Sequence, residues 1–245
     1  MRTVLIVQAR MGSSRLPGKT LLPLGGVPLI VHVIRRLQMC KRADDIVYAV
    51  PESQENCDLI KTLEKHDVKI FMGSEEDVLG RYYCAALMHG ADYICRFPAD
   101  NPVPEPCVID QLIDFHKKRN PDGFSSNIAE LFGSGFPDGI GAEMFNMSLL
   151  KKAALGTSCP KKREHPHLNF YDYSSGKPIN EPLVPVRAPR CPSWMRRPDI
   201  CLDINTLDDY SFMAELFEAL YPRNPLFGIK EIIYWWDNIR LKRRV

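Results

Sequence analysis

The chain has 245 residues, 45% of them hydrophobic and 25% charged, with a formal net charge of +2. That length suits one large core, the balanced charge argues against a nucleic-acid or membrane partner, and no apolar segment reaches the ~20 residues of a membrane span. Eight cysteines without a Cys-x-x-Cys pair read as reduced core residues, and a strand beginning within two residues of the N-terminus leaves no targeting peptide, so a cytoplasmic location is expected.

The first apolar run, Val4-Leu-Ile-Val7, predicts a buried parallel strand. It leads into Gln8-Ala-Arg-Met-Gly-Ser-Ser-Arg-Leu-Pro-Gly-Lys-Thr20. Small residues there let backbone amides approach an anion, and Arg10, Arg15 and Lys19 add cations suited to a triphosphate. A Walker A loop has four residues between its first glycine and Gly-Lys-Thr; here Ser13 to Pro17 make five, and Pro17 removes an amide donor. The loop is therefore a phosphate cradle of another type, or a basic surface turn.

Val27 to Leu37 has helical spacing, Ile46 to Val50 reads as a strand, Asn56 to Lys65 as a helix and Val68 to Phe71 as a short strand. Ser74 with Asp77 resembles a capping box before a helix whose inward residues are Leu79, Tyr82, Tyr83, Ala86 and Leu87. Ala91 to Phe97 is another strand, followed at once by Pro98-Ala-Asp-Asn-Pro102. Ligands of open α/β sheets sit beyond the carboxyl ends of strands, so Asp100 is either placed to hold Mg²⁺ against phosphates or is a turn residue. A helix follows from Pro106 to Lys118.

Beyond Asn120-Pro-Asp-Gly123 the pattern changes. Gly133-Ser-Gly-Phe-Pro-Asp-Gly-Ile-Gly-Ala-Glu143 is a glycine-rich loop feeding a strand, with Asp138 a turn former and Glu143 a lone acid in apolar surroundings. Phe145 to Leu155 reads as strand then helix. In Lys161-Lys-Arg-Glu-His-Pro-His-Leu168, Pro166 between His165 and His167 argues against a zinc site, and a solvated turn is the plain reading. Six prolines between 176 and 198 imply an irregular connection with one strand, Leu183 to Val186. Ile200 to Ile204 alternates like a strand, and Thr206 with Asp209 caps a helix carrying Tyr210, Met213, Phe217 and Leu220. Asp208 and Asp209 serve that helix start, whereas Asp203 at the strand end has no capping duty. Phe227 to Val245 is an apolar helix with a basic end.

The cradle loop closely resembles that of sugar cytidylyltransferases, most of all the SpsF-type spore-coat group, related to the enzymes that activate 3-deoxy-octulosonic and sialic acids. Arg96-Phe-Pro-Ala-Asp-Asn-Pro102 resembles their metal-binding Arg-x-x-Gly/Ala-Asp-x-Pro segment, and several motifs follow in the same order to about Tyr210. The resemblance implies nucleotide contacts from Ala9, Arg10, Gly12, Ser13, Arg15, Lys19, Ser74, Asp77 and Arg81, although Asp77 is equally explained as a helix-start carboxylate. It implies acceptor contacts from Asp138, Glu143, Arg163 and His165, with Glu143 able to help deprotonate the attacking oxygen. Mg²⁺ would sit on Asp100 and Asp203, because this chain has Asn205 where the family has an aspartate. Arg10, Lys19 and Asp100 are the catalytic set.

The fold implied is α/β, a doubly wound, mostly parallel sheet of the nucleotide-diphospho-sugar transferase type. It is expected as one domain over 1–245, with about 128–190 forming an acceptor-side and dimerisation excursion, in a homodimer. The reaction implied is CMP transfer from CTP to a sugar acceptor. Two alternatives stay open: a different NTP with a sugar phosphate, or a non-catalytic nucleotide-sugar-binding subunit.

Overall fold

The computed structural model describes residues 1–128, 133–172, 177–178 and 184–240. Among them, one sheet contains β1 (Thr3–Gln8), β2 (Asp45–Pro51), β3 (Lys69–Gly73), β4 (Tyr93–Pro98), β5 (Phe124–Ser126), β6 (Glu143–Asn146) and β7 (Val186–Arg187). Their order across the sheet is β7-β5-β6-β4-β1-β2-β3. β1 lies parallel to both β2 and β4, and β3 continues in the same sense. The exception is β6, antiparallel to β4 and to β5, while β7 runs parallel to β5.

Val4, Leu5, Ile6 and Val7 are fully buried, as a strand covered on both faces requires. The helices are α1 (Leu29–Leu37), α2 (Cys57–Glu64), α3 (Val78–Met88), α4 (Pro106–Arg119), α5 (Met147–Gly156), α6 (Pro160–Glu164), α7 (Leu207–Leu220) and α8 (Ile229–Trp235). Leu5, Val7, Tyr48 and Val50 pack on one face with residues of α1, α4, α7 and α8. Val4, Ile6, Val47 and Ala49 pack on the other with α3 and α5. Each large aliphatic residue so buried contributes about 1.5–3 kcal/mol. The sheet is doubly wound and mostly parallel, as expected.

Several local expectations are corrected. Val27–Pro28 pairs with Pro23–Leu24 as a two-residue ladder, so α1 starts only at Leu29. Leu87 on α3 is 61% exposed, and the inward face is made by Val78, Leu79, Tyr82, Ala85 and Ala86. Ser74 is not the cap of α3. Asp77 is, accepting from the Gly80 backbone N–H at 2.8 Å, while the Ser74 hydroxyl accepts from the Asp77 N–H. Ile200, Leu202 and Ile204 are buried in alternation, but among the described residues the segment makes a single bridge, Asp138 with Cys201, and forms no strand there. Its neighbour is the glycine-rich loop rather than a strand edge.

In place of Leu183–Val186 the strand is Val186–Arg187, and Leu183 lies outside the described residues. The last helix ends at Trp235 in a π-turn over Trp236–Arg240, and the basic end beyond lies outside the described residues. All eight cysteines are free thiols, yet Cys57, Cys84, Cys107, Cys159 and Cys201 are exposed; only Cys95 and Cys191 are buried. Most of the exposed ones sit on outward helix positions or in connections, which local apolar composition does not reveal. No described helix is long and apolar enough to cross a membrane.

Candidate active site

The cradle loop is folded by its own backbone. Leaving β1, the chain ties the Met11 N–H to the Asn56 side-chain carbonyl at 2.8 Å, and the Gly18 N–H to the Met11 carbonyl at 3.0 Å. Gly18 sits at φ 71°, in the left-handed region that favours glycine, and opens a single 3₁₀ turn at Lys19–Leu21. Thr20 closes the loop by donating its hydroxyl to the Arg10 carbonyl at 2.8 Å. The result turns Arg10, Arg15 and Lys19 into one cleft of about 580 Å³.

Two remote acids meet them there. Asp100 follows the carboxyl end of β4, and its carbonyl accepts the Ile204 N–H at 3.0 Å, which draws the Ile200–Ile204 segment alongside. Asp203 thereby lines the same cleft as Asp100. Gly139, at φ 86°, allows this approach: a Cβ there would lie 2.9 Å from the Leu202 carbonyl carbon and 3.0 Å from the Asp203 nitrogen. The Lys19 ammonium donates to Asp100 Oδ2 at 2.8 Å and to the Ile204 carbonyl at 2.6 Å. Arg15 donates to Asn205 Oδ1 at 2.6 Å, and the Asn205 amide donates in turn to Asp203. Arg10 pairs with Glu164 at 3.5 Å. Burial, and then the Asp100 charge, push the Asp203 carboxyl above its ordinary range. The hard oxygens of the Asp203 carboxylate, costly to ionise in this position, together with those of Asp100 suit a divalent cation such as Mg²⁺. Asp138, Cys201 and Asp203 also bring ligand atoms within 4.8 Å of one another.

The opposite wall is built on β4 and β6. Their register sets Arg96 opposite Glu143, and the two buried side chains pair at 2.6 Å. Arg96 also reaches the Gln8 side-chain carbonyl and lies 5.8 Å from the Tyr82 ring centre. His165 and His167 complete this wall. Burial lowers both imidazoles, His167 to about 4, so His167 is neutral at physiological pH.

Residues 4–153 match the cytidylyltransferase family. The chain belongs to that family. This cytidylyltransferase is 32% identical to the protein MJ1063 of Methanocaldococcus jannaschii, over 88% of its own length and 83% of the relative's. It is 29% identical to the spore coat polysaccharide biosynthesis protein SpsF of Bacillus subtilis, over 93% and 91%. It also resembles the structure of a cytidylyltransferase from Leptospira borgpetersenii, with a TM-score of 0.82 and 26% identity, covering 96% of this chain and 93% of that one. Asp203 and Asn205 lie beyond the residues that the family match spans.

Of the residues singled out in the sequence, Ala9, Arg10, Ser13, Arg15, Lys19, Asp100, Asp138, Glu143, His165 and Asp203 line the cleft of this cytidylyltransferase. Gly12, Ser74, Asp77, Arg81 and Arg163 do not. Gly12 faces Glu75, whose carboxylate a Cβ would meet at 3.0 Å. Arg81 is buried and donates to the Ser74 carbonyl. Arg163 grips Asp77 with Nε at 2.9 Å and Nη2 at 2.5 Å, and gives Nη1 to the carbonyls of Ala154 and Thr157 at 3.0 and 2.8 Å. Burial alone would raise the Asp77 carboxyl, but Arg163, the Gly80 N–H and the Arg81 charge together outweigh it and hold it below the usual range.

Sequence reasoning missed Gln8, Arg96 and His167 as parts of the wall. Arg96 had a usable signal: an arginine inside an apolar strand needs a buried carboxylate, and Glu143 is an acid with the same need. His167 had none, because only the tertiary fold decides which way a polar turn faces.

Proposed function

We propose that this cytidylyltransferase moves CMP from CTP to a sugar oxygen for surface-polysaccharide or nonulosonate-type activation. The carrying observation is that three cations of one loop and two acids from distant segments open into a single cleft. In the reaction an acceptor oxygen forms a bond to the α-phosphorus and the bond from that phosphorus to the pyrophosphate oxygen breaks. Such a displacement needs positioning and charge neutralisation more than a protein nucleophile.

Arg10, Arg15 and Lys19 exchange their present acceptors for phosphate oxygens and steady the departing pyrophosphate. Ala9 and Ser13 keep the cleft side of the loop slim enough for backbone to approach the phosphates. Asp100 and Asp203 would hold Mg²⁺, which supplies positive charge at the α-phosphate. On the acceptor side, Asp138, Glu143 and His165 meet the sugar hydroxyls. Arg96 fixes the Glu143 carboxylate in one orientation. The SpsF name supports a polysaccharide sugar as acceptor. The same reading places the protein in the cytoplasm as a homodimer, with the 128–190 stretch on its acceptor and contact side; light scattering tests the assembly.

The deciding experiment measures pyrophosphate release with CTP, UTP, ATP and GTP, each against a panel of acidic and amino sugars, with and without Mg²⁺. Release with CTP that requires Mg²⁺ is expected. Preference for another nucleotide refutes the cytidylyl reading, and CTP binding without turnover on any acceptor favours a binding subunit.

A further inference from the structure

Each cation of the cradle has a protein partner: Lys19 has Asp100, Arg15 has Asn205 and Arg10 has Glu164. The first two partners belong to the metal-side wall. Glu164 belongs to neither the cradle nor that wall, and comes from α6 on the acceptor side. Its neighbour Arg163 is anchored by all three of its guanidinium nitrogens. It clamps Asp77, the N-cap of α3, with two nitrogens and bonds the Ala154 and Thr157 carbonyls with a third. Asn169 ties the far end of the segment through the Lys162 and Pro166 carbonyls at 3.0 Å each. A five-residue helix has little stability of its own, so its place over the cleft depends on these ties.

We infer that Arg163 is a positioning residue for nucleotide binding: it holds α6 so that Glu164 occupies Arg10 as an internal competitor of the nucleotide's phosphates. Binding of CTP must displace Glu164 from Arg10. The displaced carboxylate is then free on the acceptor wall beside His165, and the nucleotide half of the site reports its occupancy to the acceptor half. The inference rests on the proposed nucleotide reading, in which Arg10 receives phosphate.

The test is calorimetric titration of CTP into the full chain, with and without Mg²⁺ and with no acceptor present. The variants are E164Q, R163Q, the double variant and R10Q. The Arg10–Glu164 pair is partly exposed, so E164Q should tighten CTP by about two- to fivefold, the range of a surface ion pair. R163Q separates positioning from plain electrostatics. Deleting a positive charge near the cleft should weaken an anion by Coulomb's law, whereas releasing the arm should tighten it. R163Q is therefore expected to bind CTP more tightly than wild type, and the double variant no more tightly than E164Q alone.

Unchanged or weaker binding by E164Q overturns the inference, as does weaker binding by R163Q or full additivity of the two effects. A wild-type protein that does not bind CTP, or R10Q binding as well as wild type, removes the nucleotide reading and this inference together. Wild-type binding that R10Q weakens, with E164Q unchanged, removes this inference alone.

Discussion

Replacing Lys19 by alanine removes an ammonium on a side chain that keeps 13% of its exposure and that sits between Asp100 and the Ile204 carbonyl. Loss of one such donor to developing charge lowers turnover by about 10²–10³, or ~2.7–4 kcal/mol of barrier. The structural cost is separate. A hydrogen bond to a charged group is worth about 1.5–3 kcal/mol, and a chain of this size loses about 2–4 °C per kcal/mol, so Tm falls by roughly 3–12 °C. Initial rates of pyrophosphate release at saturating CTP and acceptor measure the first effect, and thermal melts followed by circular dichroism measure the second. Asp100→Asn keeps the shape and should lose the same two to three decades of turnover. Either variant working within about tenfold of wild type while still folded would falsify the assignment of this end of the cleft to the phosphates.

Gly139→Ala forces a Cβ into the backbone of Leu202 and Asp203 at a positive φ; it should cost more than about 1 kcal/mol in urea unfolding and reduce turnover by moving Asp203, and a fully active, fully stable variant would contradict the close approach. Glu143→Gln leaves the buried Arg96 without its carboxylate, and equilibrium unfolding should show a loss of about 3–5 kcal/mol; a loss below about 1 kcal/mol would show that the pair is not buried as described. Asp45 supplies a pH test. Burial pushes its carboxyl up, but hydrogen bonds from Lys69, His89 and Arg2 outweigh this and leave it below its ordinary value. A depressed carboxyl stabilises the fold fully above the unfolded value of about 3.9, and that stability is lost as pH falls through the folded value. The stability gap between wild type and Asp45→Asn should therefore narrow as pH falls below about 4; a gap that does not change across that acid range would exclude the linkage.

The strands and most helices were legible because burial on one or two faces leaves a period in the sequence. Thr206 with Asp209 was readable as a capping box for the same local reason, and it is present. What failed were features that depend on a partner. Ile200 to Ile204 shows the alternation of a strand, but alternation reports burial, and among the described residues the segment pairs only through the Asp138–Cys201 bridge. Asp77 was readable as a helix-start carboxylate, which it is, but its pairing with Arg163 across 86 residues was not. Asp100 could be set beside Arg10 and Lys19 because both segments follow the carboxyl ends of strands, whereas Asp203 joined them only through a resemblance that carried the long-range pairing.

The contact between Lys19 and the Ile204 carbonyl spans 185 residues. A ribosome making this protein releases the cradle loop early, and the lysine then waits, with nothing to close on, until the segment after the proline-rich connection has emerged. The parallel strands around β1 can assemble before that moment, but the pocket cannot. A chain that stops between Pro98 and Ile204 would thus hold the parallel strands β1, β2, β3 and β4 without a finished pocket.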